Sequence, residues 1–136
     1  MRRKIIPFAL LATSSAIAQV SWTEVDFAHN RNGAGMAYDS NRGETIVFGG
    51  VTGGGVSDQT WRWDGAAWAR LDPQTSPPAR LGHGMAYDAA RDRVVVFGGD
   101  DGLGGSLSDT WEWDGASWSQ VQTAIAPPSD SGSLVY

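Results

Sequence analysis

Apolar and polar positions in this chain follow the spacing of short β-strands. Thr45–Phe48 and Val94–Phe97 are short, nearly continuous apolar runs, which are typical of strands buried on both faces. In Thr60–Asp64 and Thr110–Asp114 two tryptophans alternate with a polar residue, so both indole rings point to one face of a strand. No segment of useful length shows helical periodicity. The pattern therefore predicts an all-β protein.

The same pattern occurs twice, at an interval of about fifty residues. Gly35–Asp39 has the sequence GMAYD, and so has Gly84–Asp88. Six of the seven tryptophans also recur at this interval within predicted strands, so we expect them to pack inside the protein rather than to bind sugars or bases. Each repeat predicts four strands: Gly35–Asp39, Thr45–Phe48, Thr60–Asp64 and Ala67–Leu71 in the first, and Gly84–Asp88, Val94–Phe97, Thr110–Asp114 and Ser117–Val121 in the second.

The links between the predicted strands differ in length. Asp64-Gly65 and Asp114-Gly115 are strong signals for tight hairpins, whereas residues 51–59, 72–82 and 100–109 form longer links. In a four-stranded antiparallel sheet the long links emerge on one side and the tight turns on the other. Because functional residues concentrate in long loops on a rigid scaffold, we expect any binding surface on the long-link side.

Several recurring residues are marks of a known family. A double glycine follows the second strand of each repeat, an Arg-x-Gly segment precedes the first strand, and a tryptophan lies in the fourth: Gly49-Gly50 and Gly98-Gly99, Arg31-Asn32-Gly33 and Arg80-Leu81-Gly82, Trp68 and Trp118. In these features the chain resembles the kelch-repeat family, which includes galactose-oxidase-like propellers. The resemblance implies a β-propeller of four-stranded antiparallel blades, one per repeat. Trp63 and Trp113 depart from it, since the family usually has a tyrosine there.

The resemblance runs from Trp22 to Tyr136 and implies an incomplete propeller of about two full blades plus flanking strands. Its parts are the outer strand of a preceding or closing blade at 22–25, blades at 34–71 and 83–121, and the start of a further blade at 132–136. Propellers typically have ~4–8 blades. We therefore expect a fragment of a longer propeller, and the alternative is that several copies of the chain assemble into a ring.

The first 18 residues have the pattern of a signal peptide. A basic start at Arg2, Arg3 and Lys4 precedes the apolar run Ile5–Ala12, and Ala16-Ile17-Ala18 supplies the small residues of a cleavage site. The apolar run is far shorter than the ~20 residues that span a bilayer, which argues against a membrane anchor. We therefore expect a secreted or periplasmic protein in which residues 19–136 form the partial propeller.

Composition excludes several kinds of chemistry. The chain has no cysteine, so disulfides, thiol catalysis and the Cys-linked tyrosine cofactor of the galactose oxidases cannot form. Residues 19–136 carry 7 arginines, no lysine and all 15 acidic residues, which argues against binding nucleic acid or anionic lipid through bulk charge. No Ser/His/Asp signature, paired-histidine metal motif or phosphate-binding loop occurs. We therefore predict no catalytic residue, no metal ligand and no cofactor.

A small set of residues on the long-link side remains as a candidate binding surface: Arg80, His83, Asp100 and Asp101. With Arg31, the first two would form a polar clamp for a ligand. The alternative is structural, with the arginines bridging blades, because recurrence at the repeat interval is what a structural role predicts. The two aspartates lie in a glycine-rich loop that resembles Ca²⁺-binding repeats, although an acidic turn is the simpler interpretation.

The sequence thus predicts an exported, non-catalytic module that binds a protein or a glycan, and it predicts no nucleic-acid or membrane partner. One alternative is a fragment of a larger secreted enzyme whose active site lies in missing blades or in another domain. Another is a structural component of a surface assembly. Fold alone does not decide among these functions.

Overall fold

The computed structural model of the protein describes residues 31–122, so the predicted signal peptide, the strand at 22–25 and the strand at 132–136 lie outside the described residues. Residues 31–122 contain no helix, and hence none long and apolar enough to span a bilayer. Their strands are β1 (Gly35–Asp39), β2 (Glu44–Phe48), β3 (Val51–Thr52), β4 (Gly55–Val56), β5 (Thr60–Trp63), β6 (Trp68–Leu71), β7 (Gly84–Asp88), β8 (Arg93–Phe97), β9 (Thr110–Trp113) and β10 (Trp118–Val121).

The strands form two four-stranded antiparallel sheets and one small hairpin. Sheet I has the order β1-β2-β5-β6, sheet II has the order β7-β8-β9-β10, and β3 pairs with β4 inside the loop between β2 and β5. The all-β prediction is confirmed for the described residues. The eight predicted strands are present with ends that differ by at most one residue. The β3–β4 hairpin was not predicted, because residues 51–59 were expected only to form a long link.

The two sheets have the same strand order and the same pairing register. Gly35 pairs with Phe48 in sheet I as Gly84 pairs with Phe97 in sheet II. Each sheet also pairs the last tryptophan of its third strand with the first residue of its fourth, Trp63 with Trp68 and Trp113 with Trp118. The sequence repeat is therefore a structural repeat, and each residue of sheet I has a definite counterpart in sheet II.

Each sheet presents two different apolar faces because side chains alternate along a strand. The indole face of sheet II carries Met85, Tyr87, Val94, Val96, Trp111, Trp113 and Trp118, and its counterpart in sheet I carries Met36, Tyr38, Thr45, Val47, Trp61, Trp63 and Trp68. The aliphatic face carries Gly35, Ala37, Ile46 and Phe48 in sheet I, and Gly84, Ala86, Val95 and Phe97 in sheet II.

The core lies between the aliphatic face of sheet I and the indole face of sheet II. Strand β1 packs against β7 and β8, and Phe48 lies on Trp118 with ring centroids 5.2 Å apart. The indole Nε1 of Trp118 donates a hydrogen bond of 2.9 Å to Oγ1 of Thr60 across the interface. This bond satisfies a buried donor that would otherwise be costly, so the rings are fixed in position as well as removed from water.

Gly35 lets β1 approach β7 closely. A Cβ atom at Gly35 would lie 2.4 Å from Nε2 of His83 and 2.9 Å from Cβ of Met85. Both distances are far below ordinary contact, so a side chain at this position would force the sheets apart. The glycine at the start of GMAYD is therefore required by packing between the sheets.

We predict that Gly35→Ala lowers the free energy of unfolding by about 1–3 kcal/mol, the usual cost of overfilling a packed interior. Urea unfolding followed by tryptophan fluorescence measures the change. Gly53→Ala is the matched control, because a Cβ at Gly53 would meet nothing within 4 Å. Equal effects of the two substitutions would show that β1 and β7 are not in close contact.

Candidate functional site

The long loops of the two sheets are joined to the segments that precede each sheet. In the first repeat Asn32 and Val51 exchange backbone hydrogen bonds of 3.0 and 2.7 Å, and in the second Leu81 and Asp100 exchange bonds of 3.0 and 2.9 Å. Both loops, 49–59 and 98–109, therefore return to the same side of their sheets. We call this side the long-loop face.

The double glycine at the base of each loop lets the backbone pass close to a neighbouring segment. Gly49 and Gly50 have φ values of +69° and +86°, a conformation that favours glycine. A Cβ at Gly49 would lie 2.5 Å from the carbonyl oxygen of Arg80. Gly50 N donates a bond of 2.7 Å to that same oxygen. The glycine pair thus connects the loop of sheet I to the segment entering sheet II.

Arg80 is a fully buried side chain that closes the loop of its own repeat. Its guanidinium donates two bonds to the Asp109 carboxylate, of 2.7 and 2.9 Å, and further bonds to the carbonyl oxygens of Gly98 and Pro78. Burial alone would raise the pKa of Asp109, but the bonds from Arg80 and Trp111 hold that pKa below its ordinary value. The carboxylate of Asp109 is therefore ionised and hydrogen-bonded to Arg80 and Trp111.

Arg31 repeats this arrangement in the first repeat with a neutral partner. It donates to the carbonyl oxygen of Gly49, to Oγ of Ser57 at 3.2 Å and to Oε1 of Gln59 at 2.8 Å. Gln59 stands where the second repeat has Asp109. Burial lowers the pKa of Arg31. The contacts of both arginines favour the structural alternative over a ligand clamp.

His83 lies in the interface between the two sheets, close to the long-loop face. It is only 8% exposed, its ring meets Phe48 edge to face at 5.7 Å, and neither ring nitrogen has a hydrogen-bond partner among residues 31–122. Burial, helped by the charge of Arg80, lowers the pKa of His83 to about 4. The imidazole is therefore neutral at neutral pH and fills space left by Gly35 and Gly49.

Asp100 and Asp101 shape the tip of the loop between β8 and β9. Oδ1 of Asp100 accepts a bond of 2.6 Å from Gly102 N, while Oδ1 of Asp101 accepts bonds from the backbone N–H groups of Gly105 and Leu103. These backbone bonds lower the pKa of Asp101. They also hold Leu103 outward, where its side chain is 92% exposed.

The structure divides the four candidate residues between two environments. Arg80 and His83 are buried beneath the long-loop face, and Asp100 and Asp101 are half-buried at its rim. Asp109 binds Arg80 and is turned away from the loop tip. Asp100 and Asp101 accept backbone hydrogen bonds, as the side chains of an acidic turn do. Within residues 31–122 no group of three His, Asp or Glu side chains is placed to hold a metal ion.

Two polar features went unnoticed in the sequence. On the opposite, tight-turn face, Arg42 donates to both carboxylate oxygens of Asp92, at 2.7 and 2.9 Å, and to the carbonyl oxygen of Asp114 at 2.8 Å. It also pairs with Asp39 at 2.7 Å. In the sequence, this cluster could have been found from the three-residue spacing of Asp39 and Arg42, which recurs in Asp88 and Arg91.

The second unnoticed feature is a shallow, open cleft beside strands β5 and β6. Its lining is mainly polar: Asp58, Gln59, Thr60, Arg70, Leu71, Asp72, Pro73 and Ser76. Neither the cleft nor the Arg42 cluster includes a residue of the candidate set. The chain matches no protein-family profile, and no curated protein matches its sequence.

We predict that Asp109→Asn lowers the free energy of unfolding by about 3 kcal/mol, because it leaves the buried Arg80 cation without a counter-charge. Chemical denaturation measures this, and Asp58→Asn is the control because that carboxylate is exposed. If Asp109→Asn left stability unchanged and instead abolished binding of a ligand, the pair would belong to a ligand site.

We predict that stability falls by about 1.4 kcal/mol for each pH unit as the pH drops from about 6.5 towards 4, owing to His83. The unfolded chain gains a proton near the ordinary pKa of 6.5, whereas the folded chain gains it only near about 4. The stability that goes with a neutral His83 is therefore fully present above pH 6.5, and it is lost as the pH falls from 6.5 towards 4. His83→Ala places directly before β7 the alanine that Ala34 supplies directly before β1. It should flatten this part of the stability profile relative to wild type, and identical profiles would contradict the assignment.

Proposed function

We propose that this chain is an exported, non-catalytic binding module of kelch-like β-propeller architecture, and that it recognises a protein partner through its long-loop face. Support for the architecture comes from two equivalent four-stranded sheets packed face to face, as blades do in a propeller. Support for export comes from the sequence of residues 1–18 alone.

The observation that carries the proposal is the presentation of Leu103. Three backbone N–H groups are fixed by Asp100 and Asp101, so the loop is held while its apolar tip stays in water. A preorganised loop loses little conformational entropy on binding. A leucine held in water on such a loop contributes favourable free energy when an apolar pocket of a partner removes it from water.

The chemistry of the face favours a protein over a glycan. Sugar-binding surfaces use exposed aromatic rings, and the loops 49–59 and 98–109 of the long-loop face contain no aromatic residue. Asp58 is exposed and Asp100 and Asp101 are half-buried on the long-loop face, while Arg31 and Arg80 are turned inward. The proposed partner therefore has an apolar pocket with a basic rim. The enzyme-fragment and surface-assembly alternatives remain separate hypotheses that no contact among residues 31–122 favours.

We predict that peptides selected from a phage-displayed random library on the full chain bind Leu103→Ser about tenfold to a hundredfold more weakly, the loss expected for one buried leucine. Biolayer interferometry measures the affinities. Ala116→Ser, an exposed position on the tight-turn face, should bind like wild type. Equal binding to both variants, or binding to a printed glycan array with no peptide selected, would contradict the proposal.

A further inference from the structure

His83 is enclosed at the long-loop end of the contact between sheet I and sheet II. It is 8% exposed, and neither Nδ1 nor Nε2 has a hydrogen-bond partner within residues 31–122. A Cβ at Gly49 or at Gly99 would lie 2.9 Å from an atom of His83, so backbone closes around the side chain. A neutral imidazole is accommodated here, but an imidazolium would lose its hydration without gaining acceptors for its two N–H groups.

The surroundings supply no negative charge for a protonated His83. Among the described residues, the charge that acts on it is the cation of Arg80, which opposes protonation. The Asp109 carboxylate binds Arg80 and Trp111, not His83. The other groups that close on the ring are uncharged: Gly35 from β1, Phe48 from β2 and Gly99 from the loop between β8 and β9. A proton on His83 therefore weakens the contact between the sheets.

Backbone hydrogen bonds join the first repeat to the segment that carries His83. Gly50 N donates to the carbonyl oxygen of Arg80 at 2.7 Å, and Gly82 N donates to that of Gly33 at 2.8 Å. These bonds are separate from the strand pairing inside either sheet. When the two segments part, water therefore reaches the His83 ring while both sheets keep their paired strands.

The tight-turn end of the same contact is held by an ion pair that mild acid leaves intact. Arg42 donates to both carboxylate oxygens of Asp92 and to the carbonyl oxygen of Asp114. The bonds from Arg42 and Tyr87 hold the pKa of Asp92 below its ordinary value, so this carboxylate stays ionised at pH 4.5. The two ends of the interface therefore respond differently to a fall in pH.

We propose that mild acid opens the long-loop end of the interface between sheet I and sheet II, while the Arg42–Asp92 ion pair keeps the tight-turn end closed. Protonation of His83 favours the open form, in which the imidazolium is hydrated. Opening separates loop 49–59 from loop 98–109, which together form the long-loop face. Release of a partner from that face in acid rests on the proposed function, whereas the opening itself does not.

The direction and size of the response follow from the protonation of His83 in the two forms. In the closed form its pKa is about 4, and in the open form, where water surrounds the ring, the pKa returns to about 6.5. The open form therefore binds the proton more readily, and closure weakens as the pH falls from 6.5 towards 4. The opening constant rises about sixtyfold between pH 7 and pH 4.5.

Amide hydrogen exchange of the full chain, resolved by NMR, tests the opening without any partner. The N–H groups of Gly50 and Gly82 report on the long-loop end, and Val95 in the central strand β8 reports on unfolding of a sheet. After correction for the intrinsic pH dependence of exchange, Gly50 and Gly82 are expected to exchange through a more frequent opening than Val95. Their opening constant should rise about sixtyfold from pH 7 to pH 4.5.

Substitutions at the two histidines of the chain identify the group responsible. His83→Gln and His83→Ala remove the titrating ring, so the sixtyfold rise should disappear in both. His29→Ala, which changes the only other histidine, should keep it. One opening constant shared by Gly50, Gly82 and Val95 in wild type would show that the interface opens only when a sheet unfolds, which overturns the proposal. A rise that persists in the His83 variants overturns it too.

The link to recognition has a test of its own. Peptides selected on the chain at pH 7 should dissociate from wild type at pH 4.5 and stay bound to His83→Gln, as measured by biolayer interferometry. An equal loss of affinity in both proteins overturns acid release, while the opening measured by exchange stands. Peptides that bind Leu103→Ser as tightly as wild type contradict the proposed function alone.

Discussion

The burial of indole rings from sheet II against the aliphatic face of sheet I is the interaction on which the rest of this structure depends. Trp113 and Trp118 would lie in water if sheet II stood alone. Burial of such rings is the largest favourable contribution that a chain without disulfides can use. The bond from Trp118 to Thr60 then sets how the sheets meet. This contact between the two sheets also determines where the loops, ion pairs and close glycine contacts lie.

The repeat in the sequence was enough to predict most of the fold. Identical GMAYD segments and alternating tryptophans placed eight strands, because period-two alternation and Asp-Gly turns are local signals. The β3–β4 hairpin was missed because its strands have only two residues each.

The candidate site was harder to predict, since burial and partner choice depend on contacts between distant segments. Recurrence showed that Arg31 and Arg80 were equivalent, but it did not show that Asp109 would face one and Gln59 the other. His83 has alanine as its counterpart, so no repeated pattern marked it as an interface residue. Leu103 lies in a loop without a counterpart of similar sequence, and only the bonds of Asp101 show how it is held.

The turn built by Asp101 has a consequence for how recognition can diversify. The bonds that fix this loop run from backbone N–H groups to the carboxylates of Asp100 and Asp101, so none of them uses the side chain of Leu103. Gly102 and Gly104 have φ values of +76° and +94°, a conformation that favours glycine, so Leu103 is the apex residue whose side chain can change without straining the turn. Replacement of this one side chain would change the surface that the loop presents while its backbone hydrogen bonds stay the same.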